Sequence, residues 1–164
     1  MELRRAFPND VRAVHRLLRD LAVAEDNQAN FTATTDDLHV ALFGASPKMA
    51  CWVVEKNDMV VGMALCTPGF VAASCRSTLR LLALFVLEEH RGTGVGSALL
   101  AAIAEHAAHE YSAIDFMVRG TNRGAQAFYS QRGAMRRSEW ETWRIPGRSL
   151  DDLARYSAVH WHAT

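Results

Sequence analysis

Apolar positions along the chain follow two spacings, which separate the predicted helices from the predicted strands. Apolar residues three and four positions apart indicate amphipathic helices, whereas short apolar or alternating runs rich in valine indicate strands. Asn57-Asp58 lies between two such runs and predicts a hairpin turn, and Thr67-Pro68-Gly69 predicts a break in the chain. The predicted strands are 3–6, 51–56, 59–65, 79–87, 113–118 and 140–145. The predicted helices span 11–21, 35–43, 95–109 and 125–131, and a last helix begins near Ser149.

This order of elements predicts an α/β fold with a mixed sheet. The run 79–87 is nearly all apolar, as expected of a central strand that is buried on both faces. The hairpin strands pair antiparallel, whereas a strand–helix–strand unit pairs parallel. Asn9 or Asp10 is expected to cap the first helix, and Ser149 with Asp152 resembles a capping box. We therefore expect a single domain, 1–164, with six or seven strands flanked by helices.

Composition limits the class of protein. The chain of 164 residues is 49% hydrophobic, which is enough for one buried core. Lys and Arg number 18, and Asp and Glu number 18, so a formal net charge of zero argues against a bulk nucleic-acid binder. No apolar run approaches the roughly 20 residues of a membrane span, and the first residues lack the apolar segment of a signal peptide. We expect a cytoplasmic protein without a nucleic-acid or membrane partner.

Cysteine and histidine spacing predicts no metal and no disulfide. Cys51, Cys66 and Cys75 are odd in number and show no C-x-x-C spacing, so we expect three buried, reduced side chains. His106 and His109 lie three positions apart on a predicted helix. They lack the H-E-x-x-H order and a third ligand, which favours an ordinary pair of surface or boundary histidines.

The segment His90-Arg91-Gly92-Thr93-Gly94-Val95-Gly96-Ser97 carries the strongest chemical signal, because it joins a buried strand to a long helix. Glycines let the backbone approach a ligand, and the first helical turn offers unpaired N–H groups and the positive end of the dipole. Such a site suits a pyrophosphate, and Arg91 adds a positive charge. A P-loop would need a lysine before the serine, and a dinucleotide fingerprint would need a third glycine at position 97.

Two motifs then point to one family. Arg91, Gly94 and Gly96 match the R-x-x-G-x-G pattern of the GNAT family of N-acetyltransferases. The segment 122–134 resembles that family's N-x-x-A-x-x-F-Y-x-x-x-G-A motif. Two motifs in the expected order, with a helix and a strand between them, are more specific than either alone. The chain from about Leu3 to Ala154 therefore resembles this family.

The resemblance implies a mostly antiparallel mixed sheet whose central strands splay apart to admit acetyl-CoA. The strand backbone would pair with the pantetheine arm, and the loop N–H groups would hold the pyrophosphate. Tyr129 matches the family's general acid, which would protonate the thiolate as it leaves. The implied cofactor-binding residues are Leu84, Phe85, Val86, Arg91, Gly92, Thr93, Gly94, Val95, Gly96, Ser97, Asn122, Ala125 and Phe128.

A closer resemblance is to the diamine (spermidine/spermine and thialysine) N-acetyltransferases. It rests on the segments 21–25, 42–44 and 139–140 and on the Phe-Tyr pair of the second motif. It implies acetyl transfer to a primary amine of a small molecule, diamine-like or amino-acid-like, with Glu25 at the amine site. That group typically carries a Glu-Asp pair where this chain has Leu82 and Ala83.

The missing acidic pair leaves the general base open. Glu25, Glu139 and Glu141 are candidates, and a neutral amine would need no protein base. A site lined by Leu82, Ala83 and Phe70 would instead suit a more apolar acceptor.

None of the three cysteines belongs to either motif, which favours direct transfer without an acyl-enzyme. The family resemblance also implies a homodimer, formed partly through the strand at 140–145. Two alternatives are a non-catalytic acyl-CoA sensor of the same fold and a protein or peptide N-acetyltransferase.

Overall fold

The computed structural model of the protein describes residues 1–139 and 141–161, in which one five-stranded sheet is formed. The strands lie in the order of the chain, and every neighbouring pair is antiparallel except the parallel pair of the fourth and fifth strands. The predicted mixed, mostly antiparallel sheet is confirmed. The strands are β1 (Glu2–Arg5), β2 (Ala50–Lys56), β3 (Met59–Val71), β4 (Arg76–Val86) and β5 (Ile114–Phe116).

The described residues form five α-helices, of which the first four lie close to the predicted ranges and the fifth lies close to the predicted capping pattern. Within residues 1–139 and 141–161, no helix has the length and hydrophobicity of a membrane span. The last helix begins before Ser149. The predicted N-cap at Ser149 is therefore wrong. The helices are α1 (Val11–Ala24), α2 (Thr35–Phe43), α3 (Val95–Ala108), α4 (Arg123–Ser130) and α5 (Gly147–Trp161).

The chain divides into two compact units, Met1–Met117 and Val118–Thr164. The first unit contains the whole sheet together with α1, α2 and α3, and the second contains α4 and α5. The single domain expected from the length of the chain stays a prediction.

The register of the strands shows which side chains share a face of the sheet. Val53 pairs with Met63, and Met63 pairs with Phe85, so these three side chains lie on one face. They pack with the apolar stripes of α1 and α2 into the main core, where each fully buried aliphatic side chain contributes about 1.5–3 kcal/mol. The buried members are Ala6, Val11, Val14, Leu17, Leu38, Leu42, Cys51, Val53, Val60, Met63, Leu65, Ala83 and Phe85.

The opposite face of the sheet carries α3. Val95, Leu99 and Ile103 of this helix are buried, with relative exposures of 1%, 0% and 0%. A Cβ atom on Gly62 of β3 would lie 2.9 Å from Cγ1 of Val95 and 3.3 Å from the carbonyl oxygen of Phe85. The missing side chain therefore lets the first turn of α3 lie directly on the sheet.

Asn57 and Asp58 form the predicted turn between β2 and β3, both with positive φ, 51° and 59°. The predicted break at Thr67-Pro68-Gly69 is wrong, because β3 continues to Val71 and Pro68 pairs with Leu79. Pairing with β2 ends at Cys66, so beyond it β3 has only β4 as a described neighbour. An edge of this kind tolerates a proline, since one side of the strand needs no ladder hydrogen bond.

The predicted strand at 140–145 is also wrong over 141–145, which forms no strand, while Trp140 lies outside the described residues. The described sheet therefore has five strands rather than six or seven. Alternating side chains indicate which faces a strand would present, but a strand also needs a neighbour with which to pair.

Candidate active site

β4 and β5 pair only at their beginning. Parallel pairing joins Leu79–Leu81 to Ile114–Phe116, and β4 then continues to Val86 with β3 as its only described neighbour. The central strands thus separate, as the family resemblance predicts. Residues 84–86, whose backbone was expected to pair with pantetheine, lie in this diverging stretch. A strand edge without a partner is a template for an extended, hydrogen-bonding ligand.

A β-bulge lies where the two strands separate. Leu65 pairs with Ala83 and Cys66 pairs with Leu81, so Leu82 has no partner on β3. Its side chain is 47% exposed, between neighbours that are 4% and 9% exposed. The prediction that this strand is buried on both faces is therefore wrong at Leu82, and also at the exposed Arg80. Bulges redirect side chains and are frequent beside active sites.

The glycine loop leads from the end of β4 to α3. Gly92 and Gly94 have φ of 74° and 91°, in the left-handed region that favours glycine. Gly94 is the N-cap of α3 and supplies no capping side chain, while Thr93 donates its hydroxyl to the carbonyl of His90 at 2.7 Å. The first N–H groups of a helix have no intrahelical acceptor and carry the positive end of the dipole. The loop therefore has the form of an anion site.

Four further residues of the segment 90–97 differ in what they can offer a ligand. Val95 is 1% exposed, so only its backbone is available, whereas Gly96 and Ser97 are half-buried. Arg91 donates from Nε to the carbonyl of Val86 at 3.0 Å, and its guanidinium lies 5.5 Å from the centre of the Phe85 ring. Arg91 therefore ties the loop to the end of β4.

In the second unit, Asn122 caps α4. Its Oδ1 accepts the N–H of Ala125 at 3.0 Å, which leaves the amide nitrogen as the donor of this side chain. Gln126 fixes the preceding turn by donating from Nε2 to the carbonyls of Arg119 and Gly120, at 3.0 and 2.9 Å. The motif asparagine thus has a defined orientation at the start of the helix.

The remaining motif residues lie on one side of α4. Ala125, Phe128 and Tyr129 occupy positions i, i+3 and i+4, and all three are half-buried. The two aromatic rings meet edge to face with centres 5.0 Å apart. Arg132 covers the Phe128 ring at 3.9 Å from its centre and donates to the Phe128 carbonyl. These contacts fix the Tyr129 ring relative to its helix.

The candidate acids have different surroundings. Glu25 directly follows α1, is half-buried, and begins a loop that His15 holds by donating from Nε2 to the carbonyl of Ala33 at 2.8 Å. Glu139 pairs with Arg137 at 3.0 Å, with both side chains more than half exposed. Glu141 is exposed.

The predicted apolar acceptor lining is wrong. Phe70 pairs with Ser77, five residues before Leu82 on β4, which is roughly 16 Å along the strand. Ala83 belongs to the buried core. Of the three proposed lining residues, only Leu82 is exposed where the strands separate.

The structure adds two residues that the sequence interpretation missed. Arg80 lies two residues before the bulge, and Asp115 is its register partner on β5. The available signal was a single charge within the otherwise apolar run 79–87.

The cysteines differ in burial, and His106 packs against an aromatic ring. Burial raises the pKa of the Cys51 and Cys66 thiols to about 12, so both stay protonated at neutral pH. Cys75 is exposed, contrary to the expectation that all three are buried. The His106 ring packs 5.2 Å from the ring of Trp52. No three His, Cys, Asp or Glu side chains come together as a metal site among the residues described.

Diverging strands beside a glycine-lined helix N-terminus define an α/β protein that can hold an extended, phosphate-bearing ligand. Residues 12–134 match the acetyltransferase (GNAT) family, so the chain belongs to that family and is an N-acetyltransferase. This family uses acetyl-CoA as cosubstrate.

The relatives that the chain matches carry names of amine acetyltransferases or of proteins similar to them. Spermidine/spermine N(1)-acetyltransferase-like protein 1 of Homo sapiens is 26% identical, and the match covers 88% of this chain but 22% of that protein. The L-ornithine N5-acetyltransferase of Arabidopsis thaliana is 26% identical, with 92% of this chain and 86% of the relative covered. The thialysine N-epsilon-acetyltransferase of Bos taurus is 28% identical, with 93% and 96% covered. The predicted resemblance to this group is confirmed.

Solved structures share the fold. An integron cassette protein from V. cholerae superposes with a TM-score of 0.76 at 26% identity, over 94% of this chain and 97% of that one.

Proposed function

We propose that the protein transfers the acetyl group of acetyl-CoA to a primary amine of a small molecule. The observation that carries the proposal is the coincidence, on one strand, of the divergence from β5, the bulge at Leu82 and the glycine loop after Val86. An extended thioester could pair with the open edge of β4 while its pyrophosphate meets the N-terminus of α3. The cofactor-binding residues are then those implied by the family resemblance, on β4, in the glycine loop and in α4.

The transfer is direct. The neutral amine nitrogen attacks the thioester carbonyl, the carbon–sulfur bond breaks, and the departing thiolate accepts a proton from the Tyr129 hydroxyl. The nitrogen releases one proton to solvent and the Tyr129 phenolate regains one from solvent, so amine and acetyl-CoA give the amide and free CoA. A thiol has a pKa of about 8.5 and tyrosine about 10, so the proton transfer is modest in cost when the phenol is correctly placed. The high pKa of Cys51 and Cys66 supports a route without a cysteine acyl-enzyme.

The acceptor belongs to the class of aliphatic primary amines. The names of the relatives mention polyamines, ornithine and thialysine. Each of these compounds is a flexible chain that ends in such an amine. Glu25 would lie at the amine site, as the resemblance to the diamine N-acetyltransferases implies, and it directly follows α1. The protein would act in the cytoplasm and needs neither a metal nor a nucleic-acid or membrane partner.

The second unit supports a homodimer. Several of its apolar side chains are exposed, and a second copy of the chain would cover such a surface. The members that are more than half exposed are Met135, Trp143, Ile145, Leu150 and Leu153.

Incubation of the protein with acetyl-CoA and a mixed panel of amines, followed by mass spectrometry, tests the proposal. The panel contains polyamines, thialysine, free amino acids, aminoglycosides and short peptides. We expect an acetylated small amine, and its loss in Tyr129→Phe but not in the control Tyr111→Phe. Binding of acetyl-CoA with no acetylated product would instead identify a sensor, and an acetylated peptide would identify a protein acetyltransferase.

A further inference from the structure

Thr67, Arg80 and Asp115 form a polar row across three strands. Thr67 pairs with Arg80 in the β3–β4 ladder, and Arg80 pairs with Asp115 in the β4–β5 ladder. Directly paired residues project from the same face of a sheet, so the three side chains share a face. The next pair, Leu81 with Phe116, is the last before the strands separate.

The two charges of this row are open to a ligand. Arg80 is exposed and Asp115 is half-buried. Although they are register partners of opposite charge, no ion pair joins them in the described part of the chain. Thr67 is already engaged, because its hydroxyl donates to the carbonyl of Lys48 at 2.7 Å. A guanidinium and a carboxylate thus lie side by side without neutralising each other by contact.

The row is close to the predicted site of chemistry. Arg80 precedes the bulged Leu82 by two residues, which is about 7 Å along a strand. A short aliphatic side chain spans this distance. A molecule bound by its polar head at the row would therefore reach the point where β4 and β5 part.

We propose that the acceptor is a zwitterionic, amino-acid-like amine whose carboxylate binds Arg80 and whose α-ammonium lies against Asp115. The side-chain amine of such a molecule then extends toward Leu82 and receives the acetyl group. Guanidinium binds carboxylate through paired, charge-assisted hydrogen bonds. A polyamine brings only positive charge to Arg80 and is disfavoured by repulsion. This inference rests on the proposed acetyl transfer and narrows its substrate class.

Ornithine and putrescine form a matched pair that tests the proposal, because they differ only by the carboxylate. We expect the kcat/KM of the wild-type protein to be at least about ten-fold higher for ornithine than for putrescine, which is the effect of one charge-assisted interaction. In Arg80→Gln the KM for ornithine should rise about ten-fold or more with little change in kcat. The kcat/KM for putrescine should stay the same or rise, and Arg80→Lys should restore part of the preference.

Asp115 is tested with 5-aminopentanoate, which keeps the carboxylate and the terminal amine of ornithine but lacks the α-ammonium. Wild-type protein should prefer ornithine over this compound, and Asp115→Asn should reduce that preference. Arg76→Gln is the matched control, since Arg76 lies on the same strand and face, four residues from Arg80. It should change none of these ratios.

Equal or better use of putrescine by the wild-type protein would overturn the inference, as would an Arg80→Gln variant that slows both substrates equally. Either result would leave the proposed acetyl transfer intact, because an amine is still acetylated. If no amine of the wider panel is acetylated, the proposed function fails, and this inference fails with it.

Discussion

Gly62 of β3 lies directly against Val95, the first residue of α3. A Cβ atom at position 62 would lie 2.9 Å from Cγ1 of a valine that is 1% exposed and has no room to turn aside. The sheet therefore sets the position of the helix N-terminus that is proposed to hold the pyrophosphate. The main core on the other face of the sheet, with α1 and α2, is separate from this contact.

Gly62→Ala should therefore displace the first turn of α3. Overpacking of this kind costs about 1–3 kcal/mol, and the KM for acetyl-CoA should rise more than the KM for the amine. Urea unfolding and initial-rate kinetics measure the two effects. Gly147→Ala is the control, because a Cβ there meets nothing within 4 Å and the substitution should leave the KM for acetyl-CoA unchanged. An unchanged acetyl-CoA KM in Gly62→Ala would contradict the role of this contact.

Gly94→Ala tests the loop conformation rather than its packing. No atom lies within 4 Å of a Cβ built at Gly94, but its φ of 91° is strained for alanine. Strain of this kind costs about 1–3 kcal/mol, and relief of it would move the loop. Calorimetric titration should show acetyl-CoA binding weakened roughly ten-fold or more. Gly120→Ala, with an open Cβ position and no positive φ, should bind as the wild type does.

Arg4 links β1 to β2 and to the start of α1, which predicts a pH-dependent stability. It donates to Asp10 at 2.6 Å and to Glu55 at 2.5 Å. Burial alone would raise the pKa of Asp10, but hydrogen bonds from Arg4 and from the Phe7 N–H outweigh it and lower the pKa. The pair therefore stabilises the fold above the unfolded pKa of about 3.9 and ceases to do so as the pH falls through the lower folded value.

Asp10→Asn should accordingly lower the free energy of unfolding at pH 7 by about 1–3 kcal/mol. The difference from wild type should shrink below about pH 4, where the wild-type carboxylate also becomes protonated. Urea unfolding at several pH values measures it. Asp58→Asn, at the exposed turn of the hairpin, should have little effect at any pH. A difference that persists unchanged at low pH would show that Asp10 acts through packing.

The three cysteines should differ sharply in reactivity. The thiolate is the reactive form, and burial keeps Cys51 and Cys66 protonated, whereas Cys75 is exposed. Iodoacetamide at pH 8 should label the native protein at Cys75 alone and leave acetyl transfer intact. Denatured protein should be labelled at all three positions. Loss of activity on labelling of Cys75 would show that the exposed end of the β3–β4 hairpin takes part in acetyl transfer.

Local features of the structure could be predicted from the sequence. The apolar stripe of α1, the Asn57-Asp58 turn and the glycine loop before α3 each depend on residues close together in the chain. Their conformations follow from helix periodicity, from positive φ at a two-residue turn, and from glycine at a helix N-terminus.

Features that depend on strand partners could not be predicted. The bulge at Leu82 exists because Leu65 and Cys66 pair with residues on either side of it, which no local pattern specifies. Pro68 is accommodated because pairing with β2 ends earlier, at Cys66. Arg80 could not be recognised as a candidate binding residue, because its register partner Asp115 lies 35 positions later in the chain.

Release of free CoA from acetyl-CoA in the presence of an acceptor amine is the direct test of acetyl transfer with Tyr129 as the general acid. It is measured as initial rates for the wild type, Tyr129→Phe and Tyr111→Phe across a range of pH. We expect Tyr129→Phe to lower kcat about 100-fold or more, with little change in the KM for acetyl-CoA, while Tyr111→Phe keeps wild-type rates. Amine-dependent release that is equally fast in the wild type and Tyr129→Phe would contradict the assignment of the general acid. Absence of amine-dependent release in the wild type would contradict acetyl transfer itself.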